Sequence, residues 1–220
     1  MKSIDNKIHI IENYISKDSA QLIIDSFKGN LNKAPRDLFL TGPNFGPDSA
    51  YKIGPSNPVA VYENNINKNI AIDVMTLLCQ MMAKTISDYY DKQYILKTFC
   101  YQVMQEGARN PLHSDNYYYN KEGKVIERET EKNDKSGLLY LGGEYEGGEI
   151  YFPAQNFTLI PKPGMFVFFE GNLDVLHEVK TITKGERHNL VSFFWPSENA
   201  GKSMIDIPHQ EEIEFPYPNQ

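Results

Sequence analysis

Residues 149–169 read EIYFPAQNFTLIPKPGMFVFF. Three short apolar runs lie here, Glu149–Phe152, Phe157–Ile160 and Met165–Phe169, the last two parted by the turn Pro161-Lys162-Pro163-Gly164. Runs of this length, bounded by Pro and Gly and rich in aromatic and β-branched residues, predict strands rather than helices. Working outward, the same pattern marks Tyr94–Met104, Leu112–Asp115, Leu138–Leu141, Leu176–Val179 and His188–Trp195. Turn chemistry falls between them at Gly142-Gly143, Gly147-Gly148, Gly171-Asn172 and Lys184-Gly185. Eight short strands so punctuated predict a jelly roll or another antiparallel barrel.

Upstream the period changes. Ile8–Ile15 predicts a short strand, and Asp18 a helix cap with Gln21 at its third position. Ala20, Ile23, Ile24 and Phe27 form one stripe of that helix, and Gly29 is its expected stop. A longer helix is expected from about Ile66 to Tyr90, with Ile66, Ile70, Val74, Leu77, Leu78, Met81 and Tyr89 on the buried face. Its methionines read as core filler. The expectation is an α+β fold whose N-terminal helices pack on one sheet of the barrel. With no internal repeat and no break in composition, one domain is expected over 1–220, its core at about 94–195 and its helical support at 1–93. Thr41–Pro58 and Asn116–Gly137 are expected to be long loops, the first because of its Gly and Pro density, the second because it is highly charged.

Composition excludes several roles. The 220 residues carry 22 basic and 29 acidic side chains, a net charge of −7, which attracts neither nucleic acid nor an anionic membrane. Cys79 and Cys100 fall in the predicted helix and strand, so a reducing compartment is expected. No apolar run approaches a membrane span. MKSIDNKIHIIENYI carries Asp5 and Glu12 and lacks a small-residue cleavage site, so the expected location is cytoplasmic.

Five histidines narrow the search for chemistry. His113 and Asp115 stand two apart in a predicted strand, where i and i+2 share a face. His177 begins a later strand, just after the Gly171-Asn172 turn. Two histidines and one carboxylate on one face of an octahedron leave three positions open, the coordination set of non-haem Fe(II) oxygenases. Arg187 follows ten residues after His177. A dicarboxylate held with one end on iron needs a bidentate, permanently charged partner for its far end, and Arg is suited to that. His209-Gln210-Glu211 has the same His-x-acid form but lies in a Pro-rich acidic tail with no later histidine, so it reads as solvated surface. His9 has no acid at +2 and reads as part of the first strand. His188 faces away from Arg187 and is expected to be exposed or satisfied within the core.

The ordered set resembles the 2-oxoglutarate- and Fe(II)-dependent dioxygenase superfamily, and within it the prolyl 4-hydroxylase-like group. The matching residues are Gly107, His113-Ser114-Asp115-Asn116, Leu139-Tyr140-Leu141, Glu146 to Pro153, Pro161 to Phe169, His177-Glu178-Val179 and Gly185-Glu186-Arg187 running to Trp195. The resemblance covers Tyr94 to Trp195 well and Ile8–Phe27 more loosely. It implies a double-stranded β-helix (jelly-roll) with His113, Asp115 and His177 as iron ligands. Arg187 and Tyr140 would hold 2-oxoglutarate, Val179 would line its pocket, and O2 would be co-substrate, with ascorbate left open as an accessory. A carboxylate at Asp115, rather than a small residue, implies hydroxylation of a C–H bond. Phe166, Phe168, Phe193 and Trp195 are expected to wall the site, and Tyr117, Tyr118 and Tyr119 to offer flat contacts to an extended peptide.

Two departures bear on the substrate. Prolyl hydroxylases often carry tyrosine three residues before the first histidine, where Asn110 stands, and often use lysine where Arg187 stands. A prolyl residue in a peptide or protein is the expected substrate. The same chemistry on a non-prolyl or free small-molecule substrate stays open, as does a cupin-like binding module without turnover. Oligomeric state is not indicated.

Overall fold

The computed structural model describes residues 1–31, 50–53, 68–119, 125–127 and 134–199. The strands are β1 (Lys2–Ile4), β2 (Ile8–Ile11), β3 (Ala50–Ile53), β4 (Tyr94–Gln105), β5 (Asn110–His113), β6 (Tyr117–Tyr119) and β7 (Val125–Glu127). They continue as β8 (Lys135–Gly142), β9 (Tyr145–Gly147), β10 (Ile150–Phe152), β11 (Phe157–Leu159), β12 (Phe166–Glu170), β13 (His177–Val179) and β14 (Ile182–Pro196). Among the described residues two α-helices precede most of them, α1 (Lys17–Leu31) and α2 (Lys68–Tyr90). The large sheet runs β1-β2-β12-β8-β14-β4-β3, with β9 added to β14, and the small sheet runs β11-β10-β13-β5.

Period-two alternation divides the large sheet between two cores. Phe166, Phe168, Leu139, Leu141, Tyr101, Val103, Leu190 and Phe194 face the helices, packing against Ala20, Ile24, Met75, Cys79, Met82 and Ile86. Val167, Phe169, Leu138, Tyr140 and Met104 face the other way and meet Ile150, Phe152, Leu159 and Val179 of the small sheet. Two sheets enclosing one apolar layer, helices outside, make the α+β double-stranded β-helix. β8 runs between β12 and β14 and is buried along its whole length.

Several local expectations need correction. The N-cap of α1 is Ser16, whose Oγ accepts from the Ser19 N–H at 3.0 Å, while Asp18 sits in the first turn beside the positive end of the helix dipole. Gly29 does not stop α1, which runs on to Leu31. The buried face of α2 is Met75, Leu78, Cys79, Met82, Ala83 and Ile86, whereas Val74, Leu77, Met81 and Tyr89 are exposed. Apolar residues surround that helix, so two stripes fit a 3.6 period. The one containing small Cys79 and Ala83 lets the backbone approach the sheet. Ile66 lies outside the described residues.

Within Thr41–Pro58, Ala50–Ile53 pairs with β4 as an edge strand, and the rest lies outside the described residues. Within Asn116–Gly137, β6 and β7 form a hairpin and β8 already begins at Lys135. The Lys184-Gly185 turn is instead a bulged stretch inside β14, where Gly185 takes φ +74°. A Cβ there would sit 1.8 Å from the Glu144 carbonyl oxygen, so glycine is what lets β9 and β14 come together. His209-Gln210-Glu211 lies outside the described residues. No helix among the described residues is long and apolar enough to cross a membrane.

His9 on β2 is fully buried, stacked on Phe168 at 4.7 Å with its Nε2 3.1 Å from the Tyr90 hydroxyl. Burial, reinforced by the nearby Lys135 charge and partly opposed by Glu170, holds its pKa below the ordinary histidine value. The unfolded chain therefore binds the proton more readily. The stabilising contribution of neutral His9 is complete above the unfolded value, about 6.5, and is lost as pH falls toward the depressed folded value. The urea midpoint is expected to fall from pH 7 to 5 more steeply in the wild type than in His9→Phe. Equal slopes would mean that His9 carries none of the acid sensitivity.

Candidate metal centre

β13 pairs with β5 so that His177 lies directly across from His113, and the two imidazole centroids are 4.3 Å apart. This cross-strand pairing brings together two residues distant in sequence. Asp115 arrives by a different route from the expected one. β5 ends at His113, and the chain turns through Ser114, which bridges to Tyr117. The turn is pinned by Gly171, whose carbonyl accepts from Ser114 Oγ at 2.7 Å and from the Asn116 N–H at 3.1 Å. It carries the carboxylate back to the imidazoles. One ligating atom from each of His113, Asp115 and His177 falls within 4.8 Å of the others.

The surrounding bonds orient these atoms. His177 Nδ1 lies 3.1 Å from the Val175 carbonyl, which can only accept. Nδ1 therefore carries the proton, and Nε2 keeps its lone pair. The His177 ring is packed by Phe169 and Phe152, with centroids at 4.9 and 5.8 Å. Asn110 Nδ2 donates to His113 Nε2 at 3.2 Å, marking that nitrogen as an acceptor too. Asp115 Oδ1 lies 3.8 Å from His113 Nε2, while Oδ2 accepts from Ser136 Oγ.

Arg187, the sixth residue of β14, is 2 % exposed. Its Nη1 donates to the Gly148 carbonyl at 2.7 Å and its Nη2 to Met104 Sδ at 2.9 Å. Neither acceptor is charged. Burial pushes the guanidinium below its ordinary pKa, opposed by Tyr140 and Tyr145. The Tyr140 ring centroid is 5.8 Å from the guanidinium carbon, and burial raises the phenol's pKa, so its hydroxyl keeps its proton. Arg187 Nε and Tyr140 Oη are both buried without a hydrogen-bond partner among the described residues. A buried cation beside an unsatisfied hydroxyl is costly unless an anion completes the pocket. Tyr140 belongs to the same buried layer as Phe152, Phe169 and Val179, so the cationic pocket and the three-ligand cluster face one interior.

The expected aromatic wall is corrected. Phe166 and Phe168 point to the helices and Trp195 belongs to neither buried cluster, whereas Phe193 stands opposite Ser136 in the ladder and so shares the face on which Ser136 meets Asp115. Phe152 and Phe169 take the place beside the site, because the frame of alternation in β12 puts Phe169, not Phe168, inward. The sequence also gave no sign of Ser136, which sits before the apolar part of β8, or of the Gly148 carbonyl, hidden in a segment that reads only as a turn. Met104 was signalled weakly by the alternation of β4. His188, placed on the opposite face from Arg187, is buried and within 2.8 Å of the Tyr101 hydroxyl through Nδ1.

Residues 98–195 match the sequence profile of the 2OG-Fe(II) oxygenase superfamily. Prolyl 3-hydroxylase 1 of Gallus gallus is 26 % identical over 156 residues, 66 % of this chain but 22 % of that protein, so the chain spans about a fifth of the relative's length. The viral collagen prolyl hydroxylase of Paramecium Bursaria Chlorella virus-1, solved with 2OG, superposes with a TM-score of 0.57 at 15 % identity, covering 86 % of this chain and 95 % of that one. The prolyl hydroxylase of Trichoplax adhaerens, in complex with a hypoxia inducible factor peptide fragment, gives 0.61 at 13 % identity, covering 88 % and 86 %. Profile, fold and the order of the motifs agree: over residues 98–195 the chain is similar to the 2OG-Fe(II) oxygenase superfamily, and it shares its fold with these prolyl hydroxylases.

Proposed function

We propose that the chain is a 2-oxoglutarate- and Fe(II)-dependent hydroxylase acting on a prolyl residue of a peptide or protein. The observation that carries this reading is the pairing of a two-histidine, one-carboxylate cluster with a buried, uncompensated guanidinium opening on the same interior. The donor set fits a ferrous ion with open positions, and the Arg187–Tyr140 pocket fits the far carboxylate of a keto-diacid. When bound, these groups and O2 convert a C–H bond to C–OH, with 2-oxoglutarate leaving as succinate and CO2.

The protein's own part is to bind, orient and exclude water. His113, Asp115 and His177 would hold the metal. Arg187 would neutralise the distal carboxylate, with Tyr140 Oη donating to it, and the fixed position of both would set the co-substrate's orientation. Phe152, Phe169 and Val179 would keep the interior dry around a reactive centre. Tyr117 opens β6 two residues after Asp115 and would offer a flat contact to an extended chain.

A prolyl peptide receives support from the relatives described above, which are prolyl hydroxylases. A specific observation favours a second reading, the same chemistry on a non-prolyl substrate. Asn110, where prolyl hydroxylases often carry tyrosine, lies beside His113 with its amide donating to Nε2. Succinate formation separates the two. It is expected to rise severalfold with a Pro-containing peptide and not with its Pro→Ala counterpart. Stimulation by a free amino acid alone would remove the peptide assignment and keep the chemistry.

A further inference from the structure

We propose that Ser136 is a positioning residue that makes Asp115 a one-oxygen ligand, and so keeps three coordination positions open. This rests on the metal reading above. A carboxylate beside a divalent ion can offer one oxygen or both. If Asp115 gave both, one of the positions needed by a chelating keto-acid and a third ligand would be lost. The structure divides the two oxygens. Oδ2 is taken by the Ser136 hydroxyl, and Oδ1 is turned toward His113 Nε2, 3.8 Å away.

Ser136 is held well enough to impose this division. It is 1 % exposed, on a strand buried along its whole length, and opposite Phe169 of β12 and Phe193 of β14 in the ladder. Its hydroxyl lies where strand β8 passes the pinned 114–117 turn, so the donor comes from one rigid element and the acceptor from another. The carboxylate cannot rotate both oxygens toward the histidines without breaking a charge-assisted bond to a buried donor. Outer contacts of this kind orient metal ligands and typically change affinity 10–100-fold when removed.

Mn(II) tests the idea in the absence of turnover, through affinity and through the water-proton relaxation that reports waters on each bound ion. In Ser136→Ala, Mn(II) binding is expected to weaken about tenfold or more. Relaxation per bound ion should fall as the freed second oxygen displaces a water. Ser136→Cys keeps a γ atom but offers only a weak donor, so it should shift both quantities the same way and serves if the alanine variant does not fold. A purely structural serine would leave the hydration of the bound ion unchanged. Wild-type affinity or wild-type hydration in the folded variant overturns the proposal. Failure of the wild type itself to bind Mn(II) overturns the metal reading instead.

Discussion

His177→Ala is expected to abolish the visible charge-transfer band that forms when Fe(II) and 2-oxoglutarate are added to the protein without oxygen. His177 is one of three groups whose ligating atoms converge within 4.8 Å, and it is the one contributed by β13, so nothing adjacent in sequence can replace it. Removing an outer contact typically costs 10–100-fold in metal affinity, and removing a ligand should cost more, at least ~100-fold. The truncation also opens a space between Phe152 and Phe169 and leaves the Val175 carbonyl without its donor, so some loss of stability accompanies it. The His9→Phe variant separates the two effects. His9 is equally buried but lies on the helix side of the large sheet, so its replacement alters stability and should leave the band intact. A band of wild-type intensity in His177→Ala would remove that residue from the site.

Much of the candidate site was legible because the chemistry proposed for it depends on side-chain type and order. His113, Asp115, His177 and Arg187 occur once each in the right succession, and short strands separated by Gly and Pro give the barrel. Convergence itself came from a less visible source. His113 and His177 meet because two short strands pair in one register, and Asp115 joins them through a turn rather than along a strand. Backbone partners such as the Gly148 and Val175 carbonyls have no residue signature at all. Ser136 was obscured for another reason. The charged stretch before it reads as loop, although Lys135 is buried, its Nζ 4.6 Å from the Tyr90 ring centroid and 3.1 Å from Asp134.

Facing was the other hidden quantity. Phe166-Val167-Phe168-Phe169 announces a strand, yet both of its faces are apolar because the sheet is buried on both sides, so alternation could not tell interior from helix side. The same ambiguity misplaced the buried stripe of α2, where two overlapping sets of apolar residues fit one period. Edge strand β3 lay among glycines and prolines that outweighed its four residues.

Arg187→Met is expected to leave the ligand-free protein at least as heat-stable as the wild type while eliminating its response to 2-oxoglutarate. The guanidinium is buried with a carbonyl, a thioether and an aromatic face for company, and no carboxylate among the described residues is bonded to it. Desolvation of that charge is therefore uncompensated until a ligand arrives. Replacing buried charges by apolar side chains of similar size is often neutral or stabilising by about 1–4 kcal/mol. For a chain of this size each ~1 kcal/mol moves Tm by roughly 2–4 °C. With Mn(II) present, 2-oxoglutarate at a hundred times its Kd should stabilise the wild type by about 2.7 kcal/mol, whereas the variant should gain little or nothing. The two melting curves should thus exchange order, the variant higher without ligand and the wild type higher with it. Arg187→Lys, which keeps the charge but not the two-pronged geometry, should fall between them. A ligand-free variant that melts several degrees lower and still shifts with 2-oxoglutarate would make Arg187 a structural residue, since a cation held for its own packing has no reason to wait for an anion.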